Sequence, residues 1–284
     1  MADNKNKLKE MEDKTKKMQE NVKQGKPVFY EKPNEKSRID KVIAVMSGKG
    51  GVGKSTVTSL SALAMEKSGW NAAILDADIT GPSIPKAFGL SKGLEMMDGL
   101  AHARETNSGI QVVSTNLILE RDVDPIIWKG PMVGMAVKQF WTDIVYSNVD
   151  YMFVDMPPGT GDVPLTVFQT LPLDGVILVT SPQDLVSMIV EKAMNMCLMM
   201  GIPILGVIEN MSYFKAPDTG NEYKIFGESH IEEICKEKKL DLLAQLPINP
   251  EVAQLMDKGK IEEADVSYFK KLVDKLEKLK ANNN

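Results

Sequence analysis

The sequence predicts an α/β fold, with a mostly parallel sheet of about seven strands and helices on both faces. Short, continuous apolar runs alternate along the chain with longer stretches in which apolar residues recur at helical spacing. Continuous apolar runs are typical of strands buried on both faces, and their alternation with helices favours right-handed βαβ units. The apolar fraction of 43% and the charged fraction of 26% are ordinary for a globular chain.

Each predicted element follows from one of these two patterns. The apolar runs predict strands at residues 42–46, 72–75, 110–114, 151–155, 176–180, 204–208 and 242–246. The periodic stretches predict helices at residues 56–68, 131–146, 185–200, 231–239 and 266–280. In a parallel α/β sheet the ligand binds beyond the carboxyl ends of the strands, so functional residues are expected just after each strand.

Charge and length limit the classes of function. The 284 residues carry 34 Lys and Arg against 39 Asp and Glu, a net charge of −5, which argues against a strongly basic nucleic-acid binder. No stretch approaches the roughly 20 apolar residues of a membrane span, and no signal peptide is visible, so a cytoplasmic protein is expected. Residues 1–38 predict a solvated, charged arm, or alternatively a helix that packs on a partner. Residues 39–284 predict the single folded domain.

A glycine-rich segment follows the first predicted strand and matches G-x-x-x-x-G-K-[ST], the P-loop motif, with a helix after it. Its glycines let backbone N–H groups surround phosphate oxygens, and the helix presents its positive end to the anion. Lys54 is expected to reach the β- and γ-phosphates, and the Ser55 hydroxyl to bind Mg²⁺. The expected nucleotide-binding residues of this segment are Gly48, Lys49, Gly50, Gly51, Val52, Gly53, Lys54, Ser55 and Thr56.

Carboxylates follow the second and fourth predicted strands. Asp155 ends an apolar strand, the arrangement that holds Mg²⁺ directly or through water. Asp76 and Asp78 end the second strand, where a carboxylate can orient the attacking water or reach Mg²⁺ through water. A turn or helix-capping role is the alternative for both.

Two further residues predict the pocket for the base. Asn210 follows the sixth strand and can hydrogen-bond adenine. The N-K-x-D pattern of a guanine site is missing there, so ATP is preferred over GTP. Pro247 follows the seventh strand and is expected to wall the base pocket, with an ordinary turn as the alternative.

The loop and four other segments carry a family resemblance over residues 40 to 275. The early lysine of the loop, Lys49, resembles that of the deviant Walker A ATPases, which include MinD, ParA, the nitrogenase iron protein and the Mrp/ApbC carriers. The segments that look like the Mrp/ApbC iron–sulfur cluster carrier family are Asp-Ile-Thr-Gly-Pro-Ser at 78–83, Trp-Lys-Gly-Pro-Met at 128–132, Asp-Met-Pro-Pro-Gly-Thr-Gly-Asp at 155–162 and Glu-Asn-Met-Ser-Tyr-Phe at 209–214.

The resemblance implies a cytoplasmic homodimer with a P-loop NTPase fold that binds ATP and Mg²⁺ and hydrolyses ATP slowly. It implies three catalytic residues: Lys49, which crosses to the partner's nucleotide, Lys54, and Asp78, which positions water. Iron–sulfur assembly proteins or apo-protein clients are the implied partners, with neither nucleic acid nor membrane expected.

The resemblance also implies a four-iron cluster bridged by a C-x-x-C pair from each subunit. Ala216 and Thr219 stand at the two cysteine positions of this chain, and neither offers a thiolate. Direct binding of an iron–sulfur cluster is therefore not expected. The remaining thiols, Cys197 and Cys235, are predicted to be buried and structural.

Two other functions stay open at this point. One is a MinD- or ParA-like positioning ATPase, which would end in a membrane-binding amphipathic helix; here the mixed charges of the tail predict a packing helix instead. The other is a cluster-free scaffold subunit that pairs with a cysteine-bearing relative.

Overall fold

The computed structural model describes residues 31–79, 81, 83–91, 93–118, 130–159, 161–182 and 186–281. Residues 1–30 of the predicted arm, and Trp128 with Lys129, lie outside the described residues. The strands are β1 Ile39–Ser47, β2 Ala72–Asp76, β3 Glu95–Met97, β4 Leu100–His102, β5 Arg104–Glu105, β6 Gln111–Val113, β7 Ile144–Val145, β8 Val149–Asp155, β9 Gly175–Thr180, β10 Ile204–Glu209, β11 Phe214–Lys215, β12 Glu222–Tyr223 and β13 Leu242–Gln245. The helices are α1 Lys54–Lys67, α2 Ile84–Ala87, α3 Thr115–Ile118, α4 Gly130–Thr142, α5 Asp162–Thr170, α6 Val186–Met200, α7 Ile231–Lys238, α8 Pro250–Asp257 and α9 Lys270–Ala281.

Eight strands form the main sheet, in the order β13-β10-β9-β1-β8-β2-β6-β5. All seven predicted strands are present and parallel, which confirms the predicted mostly parallel sheet. The eighth strand, β5, is antiparallel to β6 and has only two residues, too few for a readable pattern. The central strands β1 and β8 therefore place their carboxyl ends beside each other, between β2 and β9.

Helices cover both faces of this sheet, as predicted. On β1, Val42, Ala44 and Met46 point into one core, which α4, α5, α6 and α7 complete. Ile43 and Val45 point into the other core, which α1, α2, α8 and α9 complete. Burial on both faces explains why these strands read as continuous apolar runs.

Two helix predictions need correction. The helix predicted at 131–146 ends at Thr142, because β-branched Ile144 and Val145 instead form β7, which pairs with β4 beside the main sheet. The helix predicted at 266–280 is interrupted at its start by a 3₁₀ turn, Ser267–Phe269, and α9 begins at Lys270.

Helices α2, α3, α5 and α8 have no counterpart in the sequence-based assignment. The start of α8 does carry a signal, since the Asn249 side chain caps it by accepting from the N–H groups of Glu251 and Val252. Pro250 then occupies the first turn.

The C-terminal helix α9 packs against the domain, as its mixed charges predict. Leu272 and Leu276 are fully buried, and the Tyr151 hydroxyl donates to the Leu276 carbonyl at 3.0 Å. At the end of α9 the Lys280 ammonium contacts Asp150 and Asp40, the latter at 3.0 Å, and lies 4.7 Å from the centre of the Trp70 ring. No helix among the described residues is long and apolar enough to cross a bilayer.

Two glycines let α2 and α8 meet end to end. Both have positive φ, 66° at Gly89 and 70° at Gly259. A Cβ on Gly89 would lie 2.7 Å from the Gly259 carbonyl oxygen, and one on Gly259 would lie 2.6 Å from the Gly89 Cα. Only glycine fits at this crossing.

Candidate functional site

The segment Gly48–Ser55 joins β1 to α1 and forms a tight loop at the carboxyl end of the central strands. Gly51 and Gly53 have φ of 82° and 78°, which a side chain would disfavour. The Ser47 hydroxyl donates to the Lys49 carbonyl at 2.9 Å, and the Gly159 N–H donates to the Ser47 carbonyl at 2.8 Å. The loop is therefore fixed both within itself and to the segment that follows Asp155.

Asp155 is the centre of the polar groups beside this loop. Its carboxylate is fully buried, and the Lys54 ammonium lies 2.8 Å from Oδ1. The Ser55 hydroxyl donates to Oδ2 at 2.6 Å, and the Thr58 hydroxyl donates to Oδ1 at 2.7 Å. The predicted residues Lys54, Ser55 and Asp155 thus come together. Thr58 was not predicted, although its place one helical turn beyond Ser55 puts it on the same face of α1.

The two aspartates after β2 have different surroundings. Asp78 lies with its Oδ2 at 3.5 Å from Lys54 and is part of the loop site. Asp76 is buried, accepts from the Ser114 hydroxyl at 2.9 Å and accepts from the backbone N–H of Asp78 at 3.1 Å. Burial and the nearby Asp155 carboxylate raise the pKa of Asp76 well above its usual range. Asp76 therefore holds the backbone that carries Asp78.

The loop encloses a cavity of about 240 Å³, the loop cavity. It is lined by Ser47, Gly50, Gly51, Gly53, Lys54, Ser55, Thr56, Asp78, Ser83 and Pro158. Backbone N–H groups of a glycine-rich turn, a lysine and a helix N-terminus in one cavity are suited to a chain of phosphates. Among the described residues that line this cavity, Lys49 is not found.

A second cavity of about 280 Å³ adjoins the first, and Thr56 lines both. This apolar cavity is lined by Thr56, Leu60, Asn210, Met211, Phe226, Leu246, Pro247, Ile248, Asn249, Pro250, Val252, Ala253, Met256, Asp265, Tyr268 and Phe269. Its size and apolar walls are suited to a flat aromatic base. The sequence-predicted Asn210 and Pro247 both lie here, whereas Phe226 and Tyr268 were missed because isolated aromatics carry no local pattern.

Asn210 also holds the loop in place. Its side-chain N–H donates to the Val52 carbonyl at 2.9 Å. The same amide lies so close to Gly53 that a Cβ at that position would collide with it. Asn210 therefore connects the apolar cavity to the glycine-rich loop, in addition to the predicted contact with a base.

The donors at the loop fit Mg²⁺. The Ser55 hydroxyl and the Asp155 carboxylate are hard oxygen donors that already touch each other. Magnesium in nucleotide sites is held by one or two such protein groups, and substrate phosphates and water complete its coordination.

Ala216 and Thr219 lie in the hairpin of β11 and β12. In this hairpin Phe214 on β11 pairs with Tyr223 on β12. The Ala216 N–H donates to the Asn221 carbonyl at 2.9 Å, and Thr219 is exposed.

Both cysteines, Cys197 and Cys235, are buried, as predicted. Burial raises the pKa of Cys197 to about 12 and that of Cys235 to about 11, so both are held as thiols. No group of three or more potential metal-binding His, Cys, Asp or Glu side chains occurs in the described part of the chain.

Comparison with known proteins agrees with this geometry. A protein named iron–sulfur cluster carrier protein, from Clostridium perfringens, is 42% identical over 233 residues, which are 79% of this chain and 82% of that protein. One of the same name from Methanocaldococcus jannaschii is 40% identical over 252 residues, which are 85% of this chain and 87% of that protein.

Solved structures add the fold. A nucleotide-binding protein from Archaeoglobus fulgidus in complex with ADP aligns with a TM-score of 0.74 and 38% identity, over 81% of this chain and 92% of that chain. The cell division ATPase MinD of Pyrococcus furiosus aligns with a TM-score of 0.58 at 20% identity, over 84% of this chain and 99% of that chain. This second likeness shows the P-loop NTPase fold alone.

The ParA family model, described as an NUBPL iron-transfer P-loop NTPase, matches residues 38–279, nearly the whole described domain. With the glycine-rich loop, the buried Asp155 and the adjoining cavities in place, this chain belongs to the family of NUBPL iron-transfer P-loop NTPases.

Proposed function

We propose that this protein is a cytoplasmic, Mg²⁺-dependent ATPase that acts as a homodimeric nucleotide switch in iron–sulfur cluster handling. The observation that carries the proposal is the convergence of Lys54, Ser55 and Thr58 on the buried Asp155, beside the loop cavity. Charged groups already set around the position of a transferring phosphoryl group stabilise charge in the transition state at little reorganisation cost.

Each residue has a distinct task in this proposal. The loop N–H groups and Lys54 bind the β- and γ-phosphates, and the apolar cavity accepts the adenine against Pro247 with Asn210 at its edge. Ser55 and Asp155 would hold Mg²⁺, which neutralises charge between the β- and γ-phosphates. In the structure the Lys54 ammonium pairs with Asp155. With nucleotide bound, Lys54 would turn to the phosphates and leave the Asp155 carboxylate available as an oxygen donor.

Hydrolysis then needs a positioned water. Asp78 lies at the wall of the loop cavity, 3.5 Å from Lys54, and orients the water toward the γ-phosphorus. The new bond forms between the water oxygen and phosphorus, the bond from phosphorus to the bridging oxygen breaks, and ADP and phosphate leave. Pro158, on the segment after Asp155, lines the same cavity and can respond when the γ-phosphate leaves.

A second subunit completes the site in this proposal. Lys49 is part of the loop but is not found among the described residues lining the chain's own loop cavity. This agrees with a role for its ammonium at the nucleotide of the partner, where the added charge stabilises the transition state.

The proposed role of this chain differs from that of the iron–sulfur carriers in how the cargo, an iron–sulfur cluster, is bound. We propose that Ala216 and Thr219 replace the cluster ligands, so that the hairpin holds no cluster by itself. Cargo would then be bound elsewhere, or by a cysteine-bearing subunit in a mixed dimer. The buried Cys197 and Cys235, whose pKa values are raised to about 12 and about 11, do not offer replacement thiolates at the surface.

The experiment that tests the ATPase is Lys49→Ala. We expect ATP affinity to stay within about threefold, while turnover falls at least about 100-fold. ATP-dependent association, followed by light scattering, should also be lost. Lys86→Ala is the matched control, because Lys86 is exposed and pairs with Asp257 away from the loop. A monomeric protein in which Lys49→Ala lowers binding and turnover equally would contradict the dimeric switch.

A further inference from the structure

The hairpin of β11 and β12 begins and ends at the apolar cavity. Met211 lies just before the hairpin and Phe226 just after it, and both line that cavity. Met211 has a positive φ of 58°, so the chain turns sharply there on its way from Asn210 into the hairpin. The segment that leads into the hairpin, residues 211–213, and the segment that leads out of it, residues 224–229, are its two legs. Both legs thus form part of the wall that a base would touch.

One buried carboxylate joins the two legs. Glu209, at the end of β10, is 1% exposed. The Ser229 hydroxyl, which follows the hairpin, donates to its Oε1 at 2.6 Å, and the Ser212 hydroxyl, which precedes the hairpin, donates to its Oε2. Because buried, charge-assisted hydrogen bonds are strong, the legs are held together at this end. The hairpin is therefore expected to move as one piece.

Tyr213 connects the hairpin to another part of the wall of the apolar cavity. Its carbonyl accepts from the Ile248 N–H at 2.7 Å, and Ile248 lines the apolar cavity. The Lys224 ammonium, on the outgoing leg, lies 5.5 Å from the centre of the Tyr213 ring. The incoming side of the hairpin thus contacts a residue of the cavity wall directly, and the outgoing side contacts the incoming side through Lys224.

We propose that occupation of the apolar cavity by the adenine base fixes the hairpin, with Phe226 as the positioning residue that transmits the contact. This rests on the nucleotide site of the proposed function and adds a route from that site to the segment that carries Ala216 and Thr219. Phosphates alone would fill the loop cavity, whose lining does not include Met211 or Phe226. Coupling through the base therefore differs from coupling through the γ-phosphate.

Amide hydrogen exchange of the full chain tests this inference. The reporters are the N–H groups of Ala216 and Gly220, which bond to the Asn221 and Ala216 carbonyls within the hairpin. At saturating Mg-ADP, confirmed by calorimetry, we expect both amides to exchange about tenfold more slowly than in the free protein. Saturating Mg-tripolyphosphate, which lacks a base, should leave them unchanged.

Variants separate coupling from simple stability. Phe226→Ala at saturating Mg-ADP should lose the slowing, and Phe226→Leu, which keeps an apolar wall, should restore most of it. Ile225→Ala is the matched control, because Ile225 is 58% exposed and does not line the cavity; it should retain the full effect. A melting temperature for each variant shows that the fold is kept.

The outcomes are distinct. Saturation by Mg-ADP without slower exchange, equal slowing by tripolyphosphate, or full slowing in Phe226→Ala would each overturn the coupling while leaving the nucleotide site intact. Failure of Mg-ADP to bind at all would overturn the proposed function, and the coupling with it.

Discussion

Asp155 shows how far single residues can be predicted. The P-loop spacing identifies Lys54 and Ser55, and a carboxylate at the end of an apolar strand identifies Asp155, because both patterns follow directly from the chemistry of phosphate and Mg²⁺. Thr58 was not predicted, because its spacing from Ser55 indicates a shared helix face and not a contact with Asp155. A threonine inside a helix usually bonds the carbonyl four residues back, as Thr58 does with Lys54 at 3.0 Å, and nothing in the sequence announces its second contact, to Asp155.

Lys54 should be essential for binding of ATP. Lys54→Ala removes the cation that meets the β- and γ-phosphates, so we expect Mg-ATP affinity to fall at least about 100-fold. It also leaves the buried Asp155 without its 2.8 Å partner, which should lower the melting temperature of the free protein. Titration calorimetry measures the affinity, and unchanged binding would refute the assignment of the loop.

Asp78 should separate binding from turnover. Asp78→Asn keeps the backbone N–H that bonds to Asp76, so the loop should stay in place and the affinity for Mg-ATP should change by less than about threefold. The neutral amide orients water less well, and we expect kcat to fall about 100-fold. Steady-state kinetics give kcat and KM separately; a large rise in KM at constant kcat would argue for a binding role instead.

At the scale of elements, the long periodic segments were predictable and the short pairings were not. Helix α1 begins two residues before its predicted span and ends one residue before the end of that span, a close match because motif and periodicity agree there. Strand β7 was assigned to the end of a helix. Its two residues pair with β4, more than forty positions earlier in the chain, and no local pattern encodes a partner so distant.

The hairpin of β11 and β12 contains no cysteine, which yields a prediction about iron binding. Reconstituted anaerobically with iron and sulfide, the unsubstituted protein should show no dimer-bridging cluster, since methyl and hydroxyl groups are poor ligands for iron. Ala216→Cys together with Thr219→Cys should create the ligand pair on a hairpin whose backbone bonds are already in place.

Iron analysis and the visible charge-transfer band measure the result, with Ala216→Cys alone as the control. About four irons per dimer in the unsubstituted protein would contradict the prediction, because a four-iron cluster needs four ligands and this hairpin supplies no thiolate.

At the scale of the whole molecule, the sequence predicts the fold class and leaves the strand order undetermined. Alternating strands and helices imply a parallel sheet, but which strand lies beside which depends on where each crossover lands. Strand β1 separates β8 from β9, although these two are neighbours in the chain. The contacts that close the domain are equally non-local: Lys280 reaches Asp40, Asp150 and Trp70.

The contacts of Lys280 with Asp40 and Asp150 should make the free energy of unfolding depend on pH. The hydrogen bond from Lys280 lowers the pKa of Asp40. Burial alone would lower the pKa of Lys280, but hydrogen bonds to Asp150 and Asp40 outweigh it and raise that pKa. Because the pKa of Asp40 is lower in the folded than in the unfolded protein, Asp40 stabilises the fold above the unfolded value near 3.9, and this stabilisation is lost as pH falls through the folded pKa. Because the pKa of Lys280 is higher in the folded protein, Lys280 stabilises the fold below the unfolded value of about 10.4, and this stabilisation is lost as pH rises through the folded pKa.

The contact therefore operates between about pH 4 and pH 10. Lys280→Met should lower the free energy of unfolding by about 1 kcal/mol near neutral pH, since the groups are partly solvated, and the difference from the unsubstituted protein should shrink below about pH 3. Urea unfolding at both pH values measures this. Lys270→Met, which removes an exposed pair with Asp274, should have a smaller effect; a pH-independent loss in Lys280→Met would argue for lost packing alone.

The crossing of Gly89 and Gly259 has a consequence for the nucleotide cleft. Ser83, at the start of α2, lines the loop cavity, and Met256, near the end of α8, lines the apolar cavity. The C-terminal ends of these two helices touch backbone to backbone at Gly89 and Gly259, so a residue lining the loop cavity and a residue lining the apolar cavity belong to two helices in direct contact. A ligand that spans both cavities would therefore meet walls whose spacing is constrained by this backbone contact, and preorganisation of this kind reduces the conformational entropy lost on binding.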